Sequence, residues 1–262
     1  MPDIMHTKTQ MKQGFSLVEL SIVLVILGLL TGGILTGQSL IRAAELRSVV
    51  TEMKLYQTAA HSFRDKYFAI PGDMRNATQF WGDNATACAD AAVVNGSPGT
   101  CNGDGDGSVS SGVSAPNVTA EEYQFWHQLA LAGLIEGSFT GLMDSAGELT
   151  AGQNVPFSKL SNMYWRARNF NPGGSGSTAS AYAIDLGNSL ATGTVGTGRT
   201  LTPEETWNID TKMDDGLPAQ GKVIARPWTS ECTTSTSRTD FSGKYQLSAT
   251  SKGCEVYYRQ PY

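Results

Sequence analysis

A chain of 262 residues with 19 Lys and Arg against 24 Asp and Glu is mildly acidic and has no dense basic patch, which argues against a nucleic-acid binder. About 200 residues follow a strongly apolar N-terminal stretch, enough for one globular head with its own core. No GxSxG, HExxH, Walker A or paired acid–base pattern occurs, so an anchored hydrolase finds no support and the chain reads as a non-enzyme.

The first element runs from Gly14 to Leu35, GFSLVELSIVLVILGLLTGGIL, and Glu19 is the one charge between Lys12 and Arg42. As a helix, Phe15 to Leu35 would span about 30 Å, the hydrocarbon thickness of a bilayer. A carboxylate at the edge of such a segment is costly and calls for a partner. Lys8 and Lys12 precede the apolar run with only Asp3 against them, which places residues 1–13 in the cytoplasm and exports the rest. A cleaved secretory signal fits poorly, because the apolar core is long and runs on without a helix-stopping proline. An ordinary single-span anchor explains the hydropathy but not Glu19 or the abrupt Gly14–Phe15 boundary.

Beyond Arg42 the pattern becomes one-sided. Leu46, Val49, Val50, Met53, Tyr56, Ala60, Phe63 and Tyr67 recur at three- and four-residue steps, while Arg47, Glu52, Lys54 and Asp65 take the other faces. The spacing predicts one nearly continuous helix from Phe15 to about Phe68, stopped before Pro71-Gly72.

The motif Gly14-Phe15-Ser16-Leu17-Val18-Glu19-Leu20 with its apolar continuation resembles the class III signal of type IV pilins and type II secretion pseudopilins. The match is specific over residues 12–41 and looser through Phe68. The resemblance implies that a prepilin peptidase cuts between Gly14 and Phe15 and that Phe15 becomes N-methylated. It also implies an assembly platform and ATPase as partners, with other subunits of a homo- or hetero-oligomeric filament. The segments are then a leader at 1–14, a transmembrane polymerisation helix at 15–37, its amphipathic continuation at 38–68 and an exported head at 69–262. Cleavage would create an amine on Phe15, and Glu19 would neutralise it, in its own chain or in a neighbouring subunit.

In the head, Phe80-Trp81 is expected to pin a loop, and Thr119–Ile135 to hold a second helix with Thr119 as cap and Glu122 at the capping-box position. Phe125, Trp126, Leu129, Leu131 and Leu134 are its expected core, and His127 has no acid or nucleophile at a catalytic spacing. Short strand-like pieces follow at Met163–Arg168, Ala181–Leu186, Gly221–Ala225, Gly243–Ala249 and Cys254–Tyr258. Between them Thr202-Pro203-Glu204-Glu205 is a helix start. The stretches 173–180 and 187–200 read as loops. The fold class expected is α+β, pilin-like: a long N-terminal helix packed on a small antiparallel sheet with long loops.

All four cysteines fall in the exported part, where an oxidising compartment favours disulfides, and proximity selects Cys88–Cys101 and Cys232–Cys254. A zinc site lacks any CxxC, and no histidine lies near a cysteine. Asn102, Asp104 and Asp106 stand at positions 1, 3 and 5 of a loop with Gly107 at position 6, like the first half of an EF-hand, and are candidate Ca2+ ligands. The twelfth position is Val113 rather than an acid, so Glu121 or Glu122 would have to complete the shell. Otherwise the stretch is a Gly/Asp surface turn. A second acidic group holds Asp210, Asp214 and Asp215; Asp214-Asp215-Gly216 reads as a turn before Pro218, structural or a subunit contact, with calcium as the lesser alternative. The function these features imply is a structural subunit of a bacterial type IV pilus or type II secretion pseudopilus. It would sit in the inner membrane as a single-pass protein with a cytoplasmic N-terminus, then in a periplasmic or extracellular filament. The alternative is a minor pilin acting as an adhesin or tip-binding module.

Overall fold

The computed structural model describes residue 14 and residues 16–82, 99–109, 121–143, 150–160, 163–170, 181–187, 199–225, 231–235 and 240–259. Helix α1 runs without a break over Leu17–Tyr67, 51 residues, or about 75 Å at ~1.5 Å per residue. It stops where Phe68 turns to a φ of 54° and its N–H closes on the Arg64 carbonyl at 2.8 Å. A non-glycine residue in this left-handed conformation costs roughly 1–2 kcal/mol. Pro71 then forbids helical continuation.

The chain divides into two units, residues 1–44 and 45–262. In the first, the large apolar side chains from Leu17 to Ile41 all stand exposed, so the segment has no protein core of its own. Its hydroxyls are nonetheless satisfied inside the helix. Ser21 donates to Val18 O at 2.9 Å, Thr31 to Leu27 O at 2.9 Å and Thr36 to Gly32 O at 2.9 Å. These three hydroxyls therefore need no water, as a helix in hydrocarbon requires of its polar groups.

In the second unit the periodic face behaves as the spacing predicts. Val49, Met53, Tyr56, Ala60 and Phe63 are buried, joined by Ala59. The Tyr56 ring meets Trp126 edge-on at 4.9 Å and Trp165 at 5.6 Å, which ties the helix to two other elements. Glu52 departs from expectation: it is only 7% exposed rather than on a solvated face. Its carboxylate accepts from Ser158 Oγ at 2.7 Å, Lys159 N–H at 2.8 Å and Trp165 Nε1–H at 3.0 Å. Three distant donors make that burial tolerable.

After the short helix α2 (Thr78–Trp81) comes α3 (Glu121–Leu131). Phe125, Trp126 and Leu129 are core as expected, but Leu131 faces solvent and Leu134 is only half-buried. Leu131 is two residues past the buried Leu129, about 200° around the helix, and so points away from the core; the helix then stops where Gly133 takes a φ of 70° and Leu134 N–H returns to Leu129 O at 3.0 Å. Thr119, the expected cap, lies outside the described residues.

Strands β1 (Tyr164–Phe170), β2 (Ala181–Gly187), β3 (Val223–Ala225) and β4 (Val256–Arg259) form one antiparallel sheet in the order β1-β2-β4-β3. Ala167, Ile184, Tyr258 and Val223 are cross-strand partners, forming a buried row across it. Arg166 lies on the opposite face and pairs with Glu255 at 3.0 Å, both side chains 2% exposed. The segment Gly243–Ala249 is not a strand: only Tyr245 bridges, to Thr233, and turns close the rest. Cys232–Cys254 is a disulfide that brackets this segment. Its apolar alternation is too short to hold a ladder, with Leu247 half exposed. Helix α4 (Pro203–Met213) starts on the expected signal, with a full capping box between Thr202 and Glu205.

Candidate functional sites

The N-terminus of α1 is the first site. Ser16 is its cap: Val18 N–H reaches Ser16 Oγ at 3.3 Å, and Ser16 N–H reaches Glu19 Oε2 at 2.9 Å. Glu19 thus supplies the return half of an S-x-x-E capping box while the Ser16 hydroxyl takes the N–H of Val18, a pattern legible in the sequence but overlooked there in favour of the carboxylate's role toward an amine. Glu19 also sits in the first turn, where the helix dipole favours a negative charge. Phe15, the expected partner, lies outside the described residues, and so does the stretch before Gly14.

The second site is the loop at 102–108. Asp104 and Asp106 come together there with Asp73 and Glu121, one carboxylate oxygen from each lying within 4.8 Å of the other three. Both added acids come from other elements, Asp73 from the Pro71-Gly72-Asp73 turn and Glu121 from the first turn of α3. Glu121 is one of the two acids, with Glu122, expected to return to the loop; Asp73 had no local signal linking it to residues 104 and 106. Asn102 is engaged elsewhere, its Oδ1 accepting Thr78 N–H at 3.0 Å.

Backbone amides hold the carboxylates in place. Asp73 accepts from Asp106 N–H at 3.1 Å and Gly107 N–H at 2.9 Å, and Glu121 accepts from Asp104 N–H at 3.0 Å. Gly103 is required because any Cβ would strike the Asp73 backbone. Burial pushes the Asp73 carboxyl up to about 6, with Glu121 and Asp106 adding to the rise and the Gly107 N–H opposing it. Four carboxylates with hard oxygen donors have the chemistry of a calcium or magnesium shell.

Two buried glutamines on α3 hold this loop, and sequence reasoning missed both. Gln124 Oε1 accepts from Thr100 Oγ1 at 2.7 Å while its Nε2 donates to Gly141 O at 2.9 Å. Gln128 Oε1 accepts from Gly72 N–H at 2.7 Å while its Nε2 donates to Cys101 O at 3.1 Å. Two amides four residues apart on an otherwise apolar face were the available signal. His127 also binds backbone, contacting Phe139 O and, at 2.8 Å, Gly99 O. Cys101 is disulfide-bonded; its expected partner Cys88 lies outside the described residues.

Asp210, Asp214 and Asp215 also converge. Asp210 is fully buried and accepts from Tyr245 O–H at 2.7 Å and Gly216 N–H at 3.1 Å. Asp214 accepts from the N–H groups of Lys222 and Val223, and Asp215 from Leu217 N–H at 2.8 Å. These bonds organise the turn into β3. Burial drives Asp210 up to about 7, reinforced by Asp215 and Asp214 and opposed by the Tyr245 and Gly216 bonds.

Residues 9–35 match the family model of the prokaryotic N-terminal methylation motif, the hallmark of type IV pilins and pseudopilins. The motif covers the start of the long N-terminal helix, and that helix with the small antiparallel sheet makes an α+β arrangement consistent with a pilin-like fold. Nothing among the curated proteins or the solved structures matches it.

Proposed function

We propose that this chain is a structural, non-catalytic subunit of a bacterial type IV pilus or type II secretion pseudopilus. Prepilin peptidase cleaves it after Gly14 and methylates Phe15, and the mature chain polymerises through its N-terminal helix. The observation that carries this reading is the methylation motif running into a helix whose apolar side chains from Leu17 to Ile41 stand exposed. Such a surface needs lipid before assembly and neighbouring helices after it. The helix is long and apolar enough to cross a membrane, in keeping with a single-pass inner-membrane precursor.

In this reading Glu19 exchanges its cap contact for the new amine of Phe15, its own or a neighbour's, in a medium where either charge alone costs several kcal/mol. Mass spectrometry of sheared filaments is expected to find a terminal peptide that begins at N-methylated Phe15. Glu19→Ala and Glu19→Gln are both expected to cut filament yield at least about tenfold. Mature protein retaining residues 1–14, or undiminished assembly of both variants, overturns the reading.

A further inference from the structure

Where α1 ends, a cavity of about 500 Å³ opens, with Arg64, Tyr67, Phe68, Asp73, Arg75 and Asn76 in its lining. That volume falls inside the ~300–1,000 Å³ range of small-ligand clefts. All of its lining belongs to the 45–262 unit.

Phe68 is the residue that packing explains least. It holds a strained left-handed backbone at φ 54°, and its side chain is 92% exposed. The other aromatics nearby behave differently: Phe63, Tyr67, Phe80 and Trp81 pack on one another with centroids 4.6–6.1 Å apart. Among the described residues Phe68 has no place in that set. It gains neither backbone ease nor burial, yet it puts an open ring at the cavity.

Beside it, Arg75 is fixed before any ligand arrives. Its Nε donates to Asp104 O at 2.6 Å and one terminal nitrogen reaches Gly105 O at 3.5 Å. These contacts occupy two of a guanidinium's five N–H groups. Gly105 is part of the arrangement, since a Cβ there would strike the Arg75 side chain. Asn76 is exposed and offers both an amide donor and a carbonyl acceptor. Asp73 accepts two backbone N–H bonds and keeps lone pairs for more.

The mixture narrows the ligand. A simple anion would face Asp73, a simple cation would face Arg75, and a purely apolar guest would cover the Asp73 carboxylate and the remaining Arg75 N–H groups without answering them. A polyhydroxylated ring suits every group at once. Adjacent hydroxyls accept from a guanidinium and donate to a carboxylate, while the C–H face of the ring lies on an aromatic side chain. We propose that this cavity binds a short saccharide, with Phe68 as the stacking platform and Arg75, Asn76 and Asp73 as the hydroxyl-binding groups.

The test uses the full-length chain in detergent, so its outcome does not depend on polymerisation. The chain is screened against an array of neutral and acidic oligosaccharides, and the strongest binder is titrated by calorimetry. Saturable binding is expected, weakened about tenfold or more by Phe68→Gly and by Asn76→Ala. Glycine relieves the left-handed strain, so the Phe68→Gly variant is expected to melt no lower than the wild type. Its loss of binding could not then be blamed on unfolding. The proposal is overturned if no saccharide saturates the wild type, or if Phe68→Gly binds as tightly as the wild type. Occupation of the cavity by inorganic phosphate or an acidic peptide, with no saccharide competing, overturns it as well.

Discussion

The two halves of α1 share one backbone and solve opposite problems. Up to Ile41 the helix is apolar on every side, its hydroxyls are turned back onto its own carbonyls, and its only acid sits at the cap. From Glu45 on, one face is buried under aromatic rings, and another acid, Glu52, is sunk into the protein with three donors around it. The contrast shows where each half obtains its partners. The side-chain hydrogen bonds described in the first stay within four residues, while the second is fixed by groups about a hundred positions along the chain. One helix can therefore be stable in two media only because each acid is satisfied differently, locally at Glu19 and through tertiary structure at Glu52.

The largest effect comes from breaking the second half. Glu52→Ala leaves Ser158 Oγ, Lys159 N–H and Trp165 Nε1–H without their acceptor, at a cost of about 3–5 kcal/mol. For a unit of this size that lowers the melting temperature by roughly 10 °C. Glu52→Gln retains one acceptor oxygen and should fall between the two. Thermal melts of the detergent-solubilised chain decide it. An unchanged midpoint in Glu52→Ala would mean that the carboxylate is not the tie.

A comparable effect, at most about 4 kcal/mol, attaches to Asp210 and appears as a pH dependence. Its carboxyl is raised from 3.8 to about 7 in the folded chain, so the native state binds the proton more tightly than the unfolded one. Stability from this group is fully present below about 4 and is lost as pH rises through about 7. Asp210→Asn removes that slope and should be more stable than the wild type at pH 8 while gaining nothing at pH 4. Denaturant midpoints at the two pH values provide the check. Neither half of α1 should change, so this variant confines the pH response to the turn before β3.

What was legible in the sequence follows the same divide. Local signals came through: the three-and-four spacing of Val49, Met53, Tyr56, Ala60 and Phe63, the Thr202-Pro203 helix start, and strands placed within two residues at β1, β2, β3 and β4. Residues whose partners are remote did not. Glu52 reads as solvated because charge normally marks the outer face, and nothing near it announces Ser158 or Trp165. Asp73 reads as a turn residue, because its closeness to Asp104 and Glu121 is made by chain crossings that leave no trace in spacing. Gln124 and Gln128 could have been noticed, as polar side chains on a face otherwise filled by Phe125 and Leu129.

The smallest expected effect sharpens the comparison most. Ser16→Ala and Glu19→Gln each disturb the capping box of α1, and each should cost the folded chain only about 0.5–1 kcal/mol, confined to the first turn. Amide exchange at residues 17–20 in micelles should quicken modestly in both variants, while melting of the 45–262 unit should not shift. Filament yield is expected to separate them. Ser16→Ala keeps the carboxylate and should assemble nearly as well as the wild type, whereas Glu19→Gln keeps a cap acceptor and should not. If the two variants assembled equally, the acid would be serving the helix end alone, and the first half of α1 would need no charge to find its neighbours.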